Sequence, residues 1–473
     1  MITLSFLFHF NQNFTPYARL ADAVCYWGLL RELLDRKSPD FTFHFSGTLI
    51  EAMKFYAAPT LTLIKKGYKD RRFELLGSTY SQNVMYSTDE RSNKWQLQWH
   101  KKLLADEFGV NPKGFWMAER CWKSSLVNLI SKYEYKYSFV ETHILKDSGS
   151  KHLHLLHCLA ALGGKEFFLV PDDPEFRILT NIGIWTGDFS MVKKYLRKLE
   201  KRYRGADAIA LYAEDAEASG LWGYHKGVAP QQCFESWGKL LNELGKDYPI
   251  KTVSGWIKTV KPTGGNMNFY TGLQKNIVRL KSIANGQAGW MVESARRSNA
   301  PYHEDGYRDW FDFNRRSPKL IKYRKIFLDV GKKIEMSEKK IRKKMGNEPP
   351  HNRGALSLIE YAKKILISHQ YEFGCIGIGD VNYPPFEGAK KSLAVLKVAE
   401  KGKCLCRLLV NSFQTVKLFK VKNSRMKPEL KFRKIKTKRE DVWFYNWLTP
   451  ERIKKLPSEI IEYRLVDNIE NKG

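Results

Sequence analysis

The strongest constraint on this chain is an alternation that repeats over about its first 250 residues, in which short apolar runs are followed by stretches with apolar positions at helical spacing. The runs "ITLSFLFHF" (2–10), "FTFHFS" (41–46), "RFELLG" (72–77), "GFWMAE" (114–119), "YKYSFVE" (135–141), "EFFLVP" (166–171) and "DAIALYAED" (207–215) read as strands. Between them, "YARLADAVCYWGLLRELLDR" (17–36), "TLIEAMKFYA" (48–57), "SNKWQLQWHKKLLADEFG" (92–109), "SSLVNLISKY" (124–133) and "MVKKYLRKLEKRYR" (191–204) read as helices. Repeated strand–helix units predict an α/β fold with a parallel sheet and crossover helices. A closed barrel and a doubly wound sheet both satisfy the pattern. In either, chemistry sits at the C-terminal ends of the strands, where "WMAE" and "LYAED" both end in carboxylates.

After about residue 255 the alternation stops and basic stretches with helical periodicity take over, including "TGLQKNIVRLKSIANGQ" (271–287) and "ALSLIEYAKKILISHQY" (355–371). From 401 onward "KCLCRLLVNSF", "TVKLFKV" and "DVWFYNWLTP" look strand-like. The expected organisation is a catalytic α/β domain over 1–255, a helical domain over 256–400 and a small β-rich segment over 401–473.

Composition narrows the function classes. With 43% hydrophobic and 13% aromatic residues the chain is globular in character. Its formal net charge of +30 raises the question of an acidic partner. The lysines are scattered, however, and densest in polar runs such as "KKIEMSEKKIRKKMG" (332–346), which read as solvated surface. Without an RNA-binding signature or Gly-rich phosphate loop, no nucleic-acid partner is expected. Seven cysteines, an odd number without CxxC spacing, point to a reducing compartment. The apolar start is broken by His9 and lacks a basic region, and no apolar run reaches the roughly 20 residues of a membrane span. A cytoplasmic protein with no membrane partner, metal or cofactor is expected.

Glu119 followed by Arg120 suits a structural ion pair as well as a catalytic acid. Trp116 and Trp122 on either side change the balance, because indole faces serve as platforms for sugar rings. The stretch "ALYAEDAEASGLWGY" (210–224) gathers Glu214, Asp215 and Glu217 beside Trp222. Such clustering pushes neighbouring carboxyl pKa values apart, as acid–base catalysis requires.

Together these stretches resemble glycoside hydrolase family 57. "WMAERCW" is similar to that family's third region, Trp-x-x-Glu-Arg-x-Trp, and "YAEDAEASGLW" to its fourth, Asp-x-Glu-x-x-Gly. "FHFSGTLIE" (43–51) and "FLVPDDPEFR" (168–177) also resemble family stretches. The resemblance covers residues 1 to about 225 and implies an incomplete seven-stranded (β/α) barrel followed by a helical domain. It further implies Glu119 as nucleophile and Asp215 as acid/base of a retaining enzyme acting on α-glycosidic bonds, usually α-1,4-glucan. The first region departs from the family's His-Gln-Pro: Asn11, Gln12 and Asn13 stand there, with His9 displaced by two positions. The second keeps Glu74 but has Arg71 in place of a glycine, and the fifth retains only Gln370 and Glu372. The resemblance thus implies intact catalytic carboxylates and altered substrate contacts. Candidates for those contacts are His9, Gln12, Glu74, Trp116, Arg120, Trp122, Glu217 and Trp222, with Arg120 expected to orient Glu119 through a charge-assisted hydrogen bond.

Two other readings compete. A non-catalytic glucan-binding homologue would explain the altered regions but not the retention of both carboxylates. A metal-dependent polysaccharide deacetylase needs an Asp/His/His set. The histidine cluster "KHLHLLHC" (151–158) lies on an apolar helical pattern and reads as core or surface.

Overall fold

The computed structural model describes residues 1–11, 21–35, 41–260, 277–289, 312, 315–345, 353–368 and 370, parts of 389–399, and the strands at 406–409 and 417–420. The first strand, β1 (Ile2–Phe10), is buried at all nine positions, as a parallel strand covered on both faces must be. It pairs in parallel with β2 (Phe41–Phe45) on one side and β8 (Ala208–Asp215) on the other, and β2 pairs with β3 (Phe73–Leu75). A second sheet contains β4 (Gly114–Phe115), β5 (Tyr137–Glu141), β6 (Leu156–Ala160), β7 (Glu166–Asp172) and β9 (Ile277–Arg279), in the order β4-β5-β7-β6-β9. A parallel bridge between Gly77 and Phe115 joins the two sheets.

Seven parallel strands, in the order β8-β1-β2-β3-β4-β5-β7, therefore make the barrel expected from the sequence. The ladder is open between β7 and β8, so the barrel is incomplete. Helices α1 (Trp27–Leu34), α2 (Gly47–Tyr56), α3 (Ala58–Lys69), α4 (Glu90–Phe108), α5 (Ser124–Lys132), α6 (Thr142–Asp147), α7 (Pro174–Thr186), α8 (Ser190–Arg202), α9 (Leu221–His225) and α10 (Pro230–Asp247) occupy the connections. Their ends follow local rules. Ser46 caps α2 by accepting from the Leu49 N–H at 3.2 Å. Asp173 caps α7 by accepting from Glu175 and Phe176, with Pro174 at its first position and Gly187, at φ 77°, closing it.

The inside of the barrel is filled by Leu7, Trp116, Phe139, Leu156, Val170, Leu211 and Ala213. Its N-terminal end is stoppered by α11 (Val253–Val260), whose Val253, Trp256 and Val260 join this cluster. Each Leu, Val or Phe side chain of the cluster contributes roughly 1.5–3 kcal/mol on burial. On the outer side Phe6, Phe8, Tyr212 and Trp237 pack edge-on or tilted, with Trp237 of α10 5.0 Å from Phe8.

Two segments differ from the sequence expectation. The histidine cluster at 151–158 is a turn entering strand β6, because pairing with β7 (His157 opposite Leu169, Cys158 opposite Phe168) satisfies a backbone that helix would otherwise satisfy. Residues 277–288, expected in the helical domain, are not helical, begin with the short strand β9 and group with the first compact unit, which comprises 1–12, 19–79 and 100–298. The apolar spacing of Ile277, Leu280 and Ile283 imitates a helix, but Leu280 donates its N–H to Cys158 and Ile283 packs against the barrel loops through Ser124.

The second unit, comprising 13–18, 80–99 and 299–473, contains the long helices α12 (Pro318–Met345) and α13 (Arg353–Ser368). Lys363 bridges to Glu338 at 2.8 Å, and the Gln96 amide donates to the Ile367 carbonyl at 2.8 Å. Strands β10 (Cys406–Leu409) and β11 (Lys417–Lys420) pair antiparallel in the C-terminal segment. Among the described residues no helix is long and apolar enough to cross a membrane, and Cys25, Cys121, Cys158 and Cys233 are buried and not in disulfides.

Candidate active site

Register places a row of polar side chains across the C-terminal ends of three adjacent strands: His44 on β2 is opposite His9 on β1, and His9 is opposite Asp215 on β8. Partners in a parallel ladder point to the same side, so the three share one layer of the barrel. His9 and His44 are buried with their Nδ1 atoms 2.6 Å apart, one donating to the other. Burial drives the pKa of both well below the ordinary histidine value, so both rings are neutral. The His9 ring stacks on Trp116 at 4.7 Å. His100 closes the row, accepting from the Ser78 N–H at Nδ1 and donating from Nε2 to the Phe45 carbonyl.

Asp215 ends β8 and is half-buried. Burial raises its pKa well above the usual carboxylate range; the negative charges of Glu217, Glu214 and Glu119 add to this, and Arg120 opposes it. Glu217 is fully buried and accepts from the Tyr26 hydroxyl and, at 3.4 Å, from the Asn11 N–H. Its charge acts to raise the pKa of Asp215.

Glu119 lies just beyond β4 on a short 3₁₀ turn, Ala118–Arg120, and is half-buried. Glu119 and Arg120 adopt φ of 51° and 48°, a left-handed conformation that costs non-glycine residues about 1–3 kcal/mol each and persists only where the surroundings impose it. The Ala288 N–H donates to the Glu119 carbonyl at 3.0 Å, and Trp122 and Gly286 exchange backbone bonds beside it. The non-helical segment 283–288 is thus a strap along the turn.

Arg120 differs from its expected role. Its Nε donates to Asp172 at 2.8 Å, its Nη2 donates to the Ala213 carbonyl at 2.6 Å, and its guanidinium lies 4.8 Å over the Trp116 ring. Arg177 of α7 joins it, donating to Glu141 at 3.1 Å and lying 3.5 Å from both Asp172 and Glu214. Burial raises Asp172 to about 6 against the pull of both arginines. Burial also acts to raise Glu141, yet Arg177, His143 and Arg120 bring it down to about 2. Glu141, Asp172 and Arg177 were not singled out from the sequence. The signal was present in "FVE" and "FLVPDD", apolar strands that end in carboxylates as "WMAE" does.

The structure groups His9, Trp116, Arg120, Asp215 and Glu217, and brings Glu119 near enough for its charge to act on Asp215. Trp222 follows on α9 and is half-buried. Trp116 and Trp122 are fully buried, Trp122 donating its indole N–H to the Phe139 carbonyl at 2.8 Å. Glu74 is elsewhere: it accepts from the Tyr137 hydroxyl and the Ser254 N–H at the end of the barrel closed by α11. Gln12, Asn13 and Glu372 lie outside the described residues. A concavity of about 520 Å³ lined by Met1, Arg197, Lys201 and Tyr248 is on that opposite end too, and holds none of the grouped carboxylates. Among the described residues no three His, Cys, Asp or Glu side chains form a metal site; His154 is engaged by Asp173 and Tyr203, and His157 by Ser150.

Carboxylates thus gather at the C-terminal ends of β4 and β8 of an incomplete parallel barrel, the end of a (β/α) barrel at which active sites lie. Residues 8–275 match the family model described as Glycosyl hydrolase family 57, and the chain belongs to that family. It is similar to an alpha-amylase of Pyrococcus furiosus, 24% identical over 200 residues, which are 42% of this chain and 30% of that protein. The chain thus spans less than a third of that relative's length. Its fold resembles that of the 4-alpha-glucanotransferase from Thermococcus litoralis (TM-score 0.56, 16% identity, 89% of this chain and 61% of that one). It also resembles a GH57-type branching enzyme from Pyrococcus horikoshii (TM-score 0.56, 12% identity, 84% and 87% covered).

Proposed function

We propose that this chain is a retaining glycosidase or transglycosidase acting on α-glucan, with Glu119 as nucleophile and Asp215 as acid/base. The observation that carries the proposal is the setting of Asp215, whose pKa is raised well above the usual carboxylate range by burial and by the charges of Glu217, Glu214 and Glu119. In the first step Asp215 donates its proton to the departing glycosidic oxygen while Glu119 attacks the anomeric carbon. Water or a sugar hydroxyl then displaces Glu119 from the glycosyl-enzyme, and Asp215, now the base, takes the incoming proton. Such a pair stands about 5–5.5 Å apart. The names of the similar proteins, an alpha-amylase, a 4-alpha-glucanotransferase and a branching enzyme, support α-glucan as the substrate class. Half-buried Trp222, following Asp215 in the chain, is the sugar platform in this reading.

The test is incubation with maltooligosaccharides and analysis of product length. Shorter products alone mean hydrolysis; longer products as well mean transfer. Glu119→Gln should lose turnover by a factor of about 10³ or more while the protein is still retained on immobilised glucan. A parent that leaves every maltooligosaccharide uncut, or a variant as active as the parent, refutes the assignment.

A further inference from the structure

The contacts that hold the strained turn at Glu119 converge on Asp172, the last residue of β7, which is fully buried. Two routes lead from it. One runs through Arg120, whose Nε donates to Asp172 Oδ2 and whose Nη2 donates to the carbonyl of Ala213, two residues before Asp215. The other runs through Arg177, which contacts Asp172 Oδ2 at 3.5 Å and donates to Glu141; Glu141 in turn accepts from the Gly289 N–H at 2.7 Å, next to the Ala288 N–H that donates to Glu119.

This wiring is not that of an ordinary ion pair. An arginine and a carboxylate made for each other's stability use two parallel N–H···O bonds. Arg120 instead directs one nitrogen to Asp172 and the other across the open seam to β8. Asp172 Oδ1, also buried, has no hydrogen-bond partner among the described residues. The guanidinium is a strut between two strand ends that no backbone ladder joins.

Resting on the reading of Glu119 and Asp215 as the reacting pair, we propose that Asp172 is the positioning residue of the centre. Through Arg120 it fixes the turn of Glu119 against the strand end of Asp215. It touches neither the substrate nor the reacting atoms. Displacing one reacting group by about 1 Å costs on the order of 100-fold in rate, and substrate affinity need not follow.

The experiment compares the full chain with Asp172→Ala and Asp172→Asn, reading kcat and KM on maltooligosaccharides and amide hydrogen exchange by peptide. Asp172→Ala should lower kcat by about 100-fold with KM changed less than about threefold. Asparagine keeps an oxygen for Arg120 Nε but not the charge, and should recover only to between about threefold and tenfold below the parent. Exchange should quicken in peptides covering 116–122, 211–215 and 286–289 and stay unchanged in β1 and β2. An alanine variant with kcat within about threefold of the parent overturns the proposal, as does faster exchange spread equally through β1 and β2. Should Asp172→Ala not accumulate as folded protein, Asp172→Asn decides alone. In that variant no change in either kcat or the exchange of the three segments overturns the proposal. A parent inactive on glucan defeats the reading of the reacting pair, while the exchange pattern still decides whether Asp172 positions the two segments.

Discussion

Glu74 and Asp215 mark opposite ends of the same barrel, and burial raises the carboxyl pKa at both. They part in what surrounds them. At Glu74 the remaining influences all lower the value: hydrogen bonds from Tyr137 and Ser254, and the charge of Lys258. At Asp215 the nearest further influences are Glu217 and Glu214, which raise it, and Arg120 opposes them at a distance set by its own commitment to Asp172. Desolvation is common to both, and what differs is its company: hydrogen bonds and an opposite charge at Glu74, like charges at Asp215.

The comparison is sharpest if the two acids are neutralised in turn. Asp215→Asn should lower kcat by about 10²–10⁴ and leave the melting temperature unchanged or raised, because a repelled charge is removed. A fall in melting temperature like that of a structural acid would erase the distinction.

Of intermediate size is the effect at Asp172. Its folded value of about 6 lies above an ordinary aspartate's ~3.9, so the folded state retains a proton that the unfolded chain has released. That stabilisation is complete below about pH 4 and disappears as pH rises through 6, so relative to Asp172→Asn the parent should lose about 2–3 kcal/mol across the window. Glu141, at about 2, works in the opposite sense, stabilising above about pH 4.3 and losing its contribution as pH falls. Denaturant unfolding of both proteins over a pH series measures the difference; a flat difference curve would remove Asp172 from the account.

Smallest is Glu74→Gln, expected to cost about 1–3 kcal/mol of stability through its bonds to Tyr137 and Ser254 while kcat stays within about twofold. Thermal melts alongside the product assay check it, and a large loss of kcat with an unchanged melt would move Glu74 into the site.

Much of the barrel was readable from strands such as "ITLSFLFHF" and "DAIALYAED", because parallel strands buried on both faces keep continuous apolar runs. The carboxylates ending "WMAE" and "LYAED" were readable for the same reason, as charges at the limit of an apolar strand. Glu74 was misplaced because a carboxylate in a short strand does not say which end of the barrel it faces. The Arg120–Asp172–Arg177–Glu141 cluster was hidden by topology: β5 pairs with β7, passing over the intervening β6, so residues 31 positions apart meet in a way no local pattern records. The strap at 283–288 escaped because its apolar spacing fits a helix, whereas its backbone bonds are to Trp122 and Glu119.

The open edge between β7 and β8 has a dynamic consequence. In the β1–β2 and β1–β8 pairs a strand leaves its neighbour only by breaking a row of amide bonds together. Here the C-terminal strand ends are bridged by Arg120 and Arg177 at the Ala213 carbonyl, contacts that can release singly. Amide exchange along this edge should therefore exceed that within the β1–β2 and β1–β8 ladders.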